Sequence, residues 1–249
     1  MALSKSPLPF EVMIWTSSHG TPFHHFPVNL VKAYDECTHH NKHLIKMPSV
    51  NAIPGRCMKP GFFLEVQADF EKIDPKARRM NIILMGDNDV RCMALPGSYR
   101  VLKQGGRLVE LHGDTHHALV LCGLLPSPAT HNITSRLFDI TSCKLKELCE
   151  ESHTTPAGRF ISYLKLSHIF NDQDGLIDFK KYFETDGVHL NPSGAFQLAQ
   201  YLVNNAIDFA ESCQKMVDIA YADLENFIKE LSVIPDESFQ NKDMRSKIE

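Results

Sequence analysis

Five short apolar runs, each followed by a stretch with helical spacing, constrain this chain more than any other feature. They are residues 11–15 (EVMIW), 43–47 (HLIKM), 79–86 (RMNIILMG), 117–125 (HALVLCGLL) and 159–166 (RFISYLKL). Their lengths suit strands, and the third and fourth are apolar nearly throughout. A strand with no polar face has to be covered on both sides, which is the condition of a parallel sheet between two helical layers. The covering segments have the right period. Residues 27–42 place Val28, Val31 and Tyr34 on one face, and 62–73 do the same with Phe63, Val66 and Phe70. Residues 97–112, 137–152, 194–213 and 217–234 read as further helices. No repeat or linker interrupts the alternation. Residues 1–235 therefore read as a single domain with its core over about 11–210 and an extra C-terminal helix at 217–234, followed by a charged tail at 236–249 too polar to order.

The net charge of −4 carries no electrostatic footprint of a nucleic-acid binder. A local basic patch would have to come from Lys42, Lys46, Arg56, Lys59, Arg78 and Arg79. Seven cysteines, an odd number without a CxxC pair, suggest reduced thiols and a cytoplasmic protein. No stretch approaches the roughly 18 apolar residues of a membrane span, and the opening MALSKSPLPFEVMIW has no secretory apolar run.

In parallel sheets, ligands collect beyond the carboxyl ends of the strands, and three constellations stand there. Thr16-Ser17-Ser18-His19-Gly20 follows the first run. A serine on a tight strand-to-helix turn is exposed beside backbone N–H groups, although ordinary loops share this composition. Gly86-Asp87-Asn88-Asp89 follows the third run. A carboxamide there can donate to a developing oxyanion, or the segment is an Asx-type turn. Asp186 stands three residues before His189. A neutral imidazole can take a hydroxyl proton while a carboxylate fixes its tautomer. Asn191 and Pro192, just beyond, read as the N-cap and first residue of a helix, which is compatible with that role.

Taken in order, these segments resemble the blocks of the SGNH/GDSL hydrolase family. Gly86-Asp87-Asn88-Asp89 matches its Gly-x-Asn-Asp block, Asp186-Gly187-Val188-His189 its Asp-x-x-His block, and Gly55 stands where its second-block glycine is expected. The resemblance spans roughly residues 11 to 210. The run from 160 to 195 is most similar to the SGNH-like domains of retroelement open reading frames and of the insect germ-plasm protein Oskar. The resemblance implies a three-layer α/β/α sandwich with a mostly parallel, flavodoxin-like doubly wound sheet. It also implies Ser18 as nucleophile, His189 as general base and Asp186 as its orienting carboxylate. The Ser18 and Gly55 N–H groups and the Asn88 side chain would form the oxyanion hole, short acyl esters would be the substrates, and no cofactor or metal would be needed. One block departs. The family has Gly-Asp-Ser where this chain has Thr16-Ser17-Ser18, so a Cβ enters the turn and an acceptor is lost.

Two other functions compete. A catalytically degenerate SGNH-like module would bind RNA or protein, as the Oskar domain binds RNA. A metallophosphoesterase would use SSHG, GDNDVR and HGDTHH, but Ser17 replaces its first carboxylate ligand. The paired histidines His24-His25, His39-His40 and His116-His117 read as surface or loop residues, lacking i, i+4 spacing on a helix.

Overall fold

Strand β1 (Phe10–Thr16) lies inside a five-stranded sheet with β2 (Ser49–Ala52), β3 (Arg78–Leu84), β4 (Ala118–Cys122) and β5 (Ile161–Leu164), in the order β2-β1-β3-β4-β5. Every pairing is parallel. The computed structural model describes residues 8–233 apart from 22–23, 39–43, 75, 114–116, 128–131 and 156. His39, His40, Lys42, His116 and the tail 236–249 lie outside the described residues. The chain steps from β1 outward to β2, then returns past β1 to β3. This reversal opens a crevice beyond the carboxyl ends of β1 and β3.

Among the described residues, seven α-helices connect and cover the strands: α1 (Phe26–Cys37), α2 (Pro60–Phe70), α3 (Asp87–Met93), α4 (Leu95–Gly113), α5 (Asn132–Ser152), α6 (Phe179–Tyr182) and α7 (Pro192–Val233). On one face of the sheet Trp15, Ile83, Leu119, Leu121 and Ile161 pack against Phe62 and Val66 of α2, Val101 and Leu108 of α4, and Phe138 and Leu145 of α5. The alternate residues Val12, Ile14, Met80, Ile82 and Val120 point the other way and are buried too. Buried stripes on α1 (Phe26, Leu30, Ala33) and α7 (Leu198, Leu202, Ala206) supply that layer. The two helices meet where Gln200 Nε2 donates to Glu36 Oε2 at 3.1 Å. One buried polar chain crosses the core: Trp15 Nε1 donates to Asn81 Oδ1 at 3.0 Å, and Asn81 Nδ2 lies 3.4 Å from His112 Nε2. The other His112 nitrogen meets the Leu108 carbonyl at 2.7 Å, which makes Nδ1 the protonated one.

Three elements differ from the sequence reading. The second strand is not 43–47 but Ser49–Ala52. Ile45 makes a single bridge to Phe10, whereas Ser49 pairs with Met13, so three steps along β1 face four along its neighbour. Pro48, which has no N–H to give the ladder, stands at this slip. The Gly86-Asp87-Asn88-Asp89 segment is not only a turn, because Gly86 caps a short helix, α3. The two expected C-terminal helices are one, Pro192–Val233. Residues 1–211 form one compact unit and residues 212–249 a second. The second unit, described through Val233, is helical and leaves Ile219, Tyr221, Leu224 and Phe227 exposed.

Candidate active site

β1 delivers Thr16 and Ser17 into the core, both fully buried, and a 3₁₀ turn over Ser18–Gly20 follows. The turn closes where the Thr21 N–H and Oγ1 both donate to the Ser18 carbonyl, at 3.1 and 2.9 Å. The glycine absent at position 16 has a counterpart at position 20. A Cβ on Gly20 would lie 2.1 Å from Thr16 Cγ2 and 2.9 Å from Val50 Cγ1. The room the Thr16 side chain needs is therefore supplied four residues later. Ser17 takes the position of the missing aspartate with its Oγ buried and unpartnered among the described residues.

β3 ends at Leu84, and the chain turns at Gly86 with φ 114°, a conformation that a side chain resists. Asp87, Asn88 and Asp89 then enter α3 buried. Asp89 Oδ2 accepts from the Met58 N–H at 2.8 Å, tying α3 to the loop between β2 and α2, while Arg100 pairs with its other oxygen at 3.3 Å. Asn88 Nδ2 donates to the Arg56 carbonyl at 3.2 Å, next to Gly55, itself at φ 65°. Arg91 donates to Asn88 Oδ1. The carboxamide is thus oriented with its oxygen on a cation and one N–H still free of these contacts. No hydrogen bond joins Asn88 or Gly55 to Ser18 among the described residues.

The loop before α7 is closed at its base. Phe183 and Leu190 bridge, and the Glu184 N–H donates to the His189 carbonyl at 2.8 Å. Inside this loop Asp186 Oδ1 accepts from the Val188 and His189 N–H groups at 2.8 and 3.0 Å. Its Oδ2 lies 2.5 Å from His189 Nδ1. Partial burial works against the charged carboxylate, but these hydrogen bonds prevail and hold Asp186 down to a pKa of about 2. With Nδ1–H donated to Asp186, Nε2 is left to accept, and it lies 3.0 Å from Ser18 Oγ. Residues 171 apart in sequence meet here. Asn191 Oδ1 accepts from the Gly194 N–H at 3.0 Å, so the expected helix entrance and the Asp186–His189 contact coexist.

Sequence reasoning missed the groups around His189. His24, read as a loop residue, precedes α1 and stacks on the His189 ring with centroids 4.3 Å apart and planes 12° apart. His19, directly after Ser18, is buried with its ring 5.5 Å from that of His189. Burial foremost, then the neighbouring His189, His24 and Arg91, lowers the His19 pKa to about 3, so this ring is neutral. Its Nε2 lies 4.0 Å from Asp87 Oδ2, and burial raises the Asp87 pKa. Only the adjacency of His19 to Ser18 was visible in sequence. A cavity of about 720 Å³ opens beside the ends of β4 and β5, between Phe138, Tyr163 and Tyr201. It reaches the Asp186–His189 loop through Ser127, whose hydroxyl donates to the Gly187 carbonyl at 2.8 Å.

The candidate basic residues Lys46, Arg56, Arg78 and Arg79 are engaged within the fold. Arg56 is buried, pairs with Glu65 and lies over the Trp15 and Phe62 rings. Lys46 pairs with Glu11 and Arg79 with Asp69, while Arg78 covers Phe10. His117, read as a surface or loop residue, lies just before β4 and is buried, and its Nδ1 accepts from the Arg79 N–H at 3.3 Å. Among the described residues no three His, Cys, Asp or Glu side chains gather as a metal site, and no helix is long and apolar enough to cross a membrane.

No protein-family model matches the chain, and no curated protein matches it by sequence. Solved structures do match in fold. A lipase/acylhydrolase from Enterococcus faecalis is 11% identical, with a TM-score of 0.56 over 80% of this chain and 96% of that one. An acetylxylan esterase from Geobacillus stearothermophilus is 14% identical, with a TM-score of 0.54 over 82% and 96%. The psychrotrophic esterase EstA from Pseudoalteromonas sp. is 15% identical, with a TM-score of 0.54 over 84% and 98%. At these identities the likeness is one of fold: a three-layer sandwich around a parallel sheet.

Proposed function

We propose that the chain is an SGNH/GDSL-type serine hydrolase that cleaves short acyl esters through Ser18, His189 and Asp186. The observation that carries this reading is the continuous contact from Ser18 Oγ to His189 Nε2, 3.0 Å, and from His189 Nδ1 to Asp186 Oδ2, 2.5 Å. Ser18 Oγ attacks the acyl carbon as His189 Nε2 takes its proton, and the carbonyl oxygen becomes an oxyanion. The Ser18 and Gly55 N–H groups and the remaining Asn88 N–H are the donors assigned to that oxygen. As the tetrahedral adduct collapses, His189 returns the proton to the leaving alcohol. Water then repeats the sequence on the acyl-serine and restores Ser18. The fold shared with esterases and an acylhydrolase supports an ester as substrate.

The test is hydrolysis of p-nitrophenyl acetate by the purified protein and by Ser18→Ala, which should fall to the uncatalysed rate. Equal rates from both would overturn the reading. The absent Gly-Asp before Ser18 favours a second one, a non-enzymatic SGNH-like module of the kind found in retroelements and Oskar. That module would bind labelled single-stranded RNA with an affinity that falls steeply as salt rises.

A further inference from the structure

We propose that His24 is a positioning residue for His189: its neutral ring, laid flat on the base, steadies the imidazole and offers a π face to the imidazolium formed when Ser18 gives up its proton. The inference rests on the hydrolase reading and adds to it a residue outside the blocks that define the site. The rings are nearly coplanar in orientation, 12° apart with centroids at 4.3 Å, whereas His19 meets the same ring at a tilt of 58°. His189 is therefore held on its edge by Asp186, at its tip by Ser18 and on one face by His24. A neutral aromatic face attracts a cation, and a protonated one repels it. Acidification thus turns support into opposition.

Burial first, and then the neighbouring histidines, favour the neutral state of His24. Burial lowers its pKa, and the proximity of His189 lowers it further; Asp186 and Glu184 pull the other way, and His25 adds to the depression. Glu184 is itself engaged by His25 at 3.5 Å. The other groups near His189 are His19, kept neutral by burial, and Asp87, both of which feel Arg91.

Three substitutions separate the stacked face from mere filling of space. His24→Ala should lower kcat about three- to tenfold with little change in KM, the size expected of a partly exposed cation–π contact. His24→Phe keeps a face without a titrating group and should recover most of that loss. His24→Lys puts a fixed charge there and should fall below alanine. An unchanged kcat in the alanine variant, a phenylalanine variant no better than alanine, or a lysine variant equal to it would each overturn the proposal. A second readout needs no activity. By NMR, His24 should titrate below the ordinary histidine value in the wild type and move upward in His189→Asn, which removes the neighbouring imidazole. An unmoved titration refutes the contact, while a Ser18→Ala variant as active as wild type refutes the hydrolase reading instead.

Discussion

Replacing Gly20 by alanine tests whether the turn carrying Ser18 is held by a displaced glycine. Gly20 does not have a left-handed φ, so on backbone grounds alone alanine would stabilise by ~0.4–1 kcal/mol through the unfolded chain. The structure demands the opposite sign. The new Cβ would sit 2.1 Å from Thr16 Cγ2, 2.9 Å from Val50 Cγ1 and 3.0 Å from Ala52 Cβ. Thr16 is fully buried and cannot swing into solvent. Overpacking of this kind costs ~1–3 kcal/mol. We expect a net loss near 2 kcal/mol, which for a chain of this size lowers Tm by about 4–8 °C. Thr16→Ser removes the colliding methyl at a cost of ~0.8 kcal/mol for the buried group lost. In that background Gly20→Ala should cost at least ~1 kcal/mol less, because only the Val50 and Ala52 contacts remain. Urea unfolding of the four proteins gives the coupling directly, provided m stays constant. Ester hydrolysis should fall in Gly20→Ala and recover in part in the double variant. A neutral or stabilised Gly20→Ala, or an equal cost in both backgrounds, refutes the compensation between positions 16 and 20.

Two further outcomes follow from groups near the site and in the core. Asn88→Ala should lower kcat about 10²–10³-fold with little effect on KM, the usual loss of one oxyanion donor; a change within threefold would remove Asn88 from that role. His112 is buried, and burial lowers its pKa to about 3 from 6.5. Between those values the unfolded chain takes up a proton that the folded chain refuses, so stability falls as pH drops from 6.5 toward 3. His112→Gln should flatten the slope of unfolding free energy by about 1.4 kcal/mol per pH unit in this range. Urea unfolding between pH 4.5 and 7 measures it, and identical slopes would mean that the ring is not held neutral.

The centre of the sheet was legible because β3 and β4 are buried almost throughout, and a run without a polar face can be read without knowledge of contacts. Its exceptions have local causes. Around Pro48 the pairing slips by one residue, so the apolar run 43–47 and the paired segment Ser49–Ala52 separate. Asp87, Asn88 and Asp89 read as turn formers, yet they open α3 because Asp89 is satisfied by the Met58 N–H and Arg100 instead of its own backbone. The expected break near residue 214 does not occur. No proline or glycine stands there, and Gln214 Nε2 donates to Asp218 Oδ1 at 2.6 Å along the continuous helix.

The candidate site divides the same way, between what spacing carries and what only space can show. Asp186 and His189 are three residues apart, so their contact is a property of one loop and could be read from its sequence. Ser18 joins them through the order of strands, which a block pattern encodes only indirectly. Taken alone, Thr16 in place of a glycine puts a side chain into the turn. The volume that matters is shared between Thr16 and Gly20, because a Cβ at position 20 would meet Thr16 Cγ2 at 2.1 Å. The guanidinium of Arg56 shows the converse. As a charge it suggested a surface for an anionic polymer, but it lies buried over Trp15 and Phe62 and is matched by Glu65. Its carbonyl, not its charge, bears on the site, because that oxygen holds Asn88 in place.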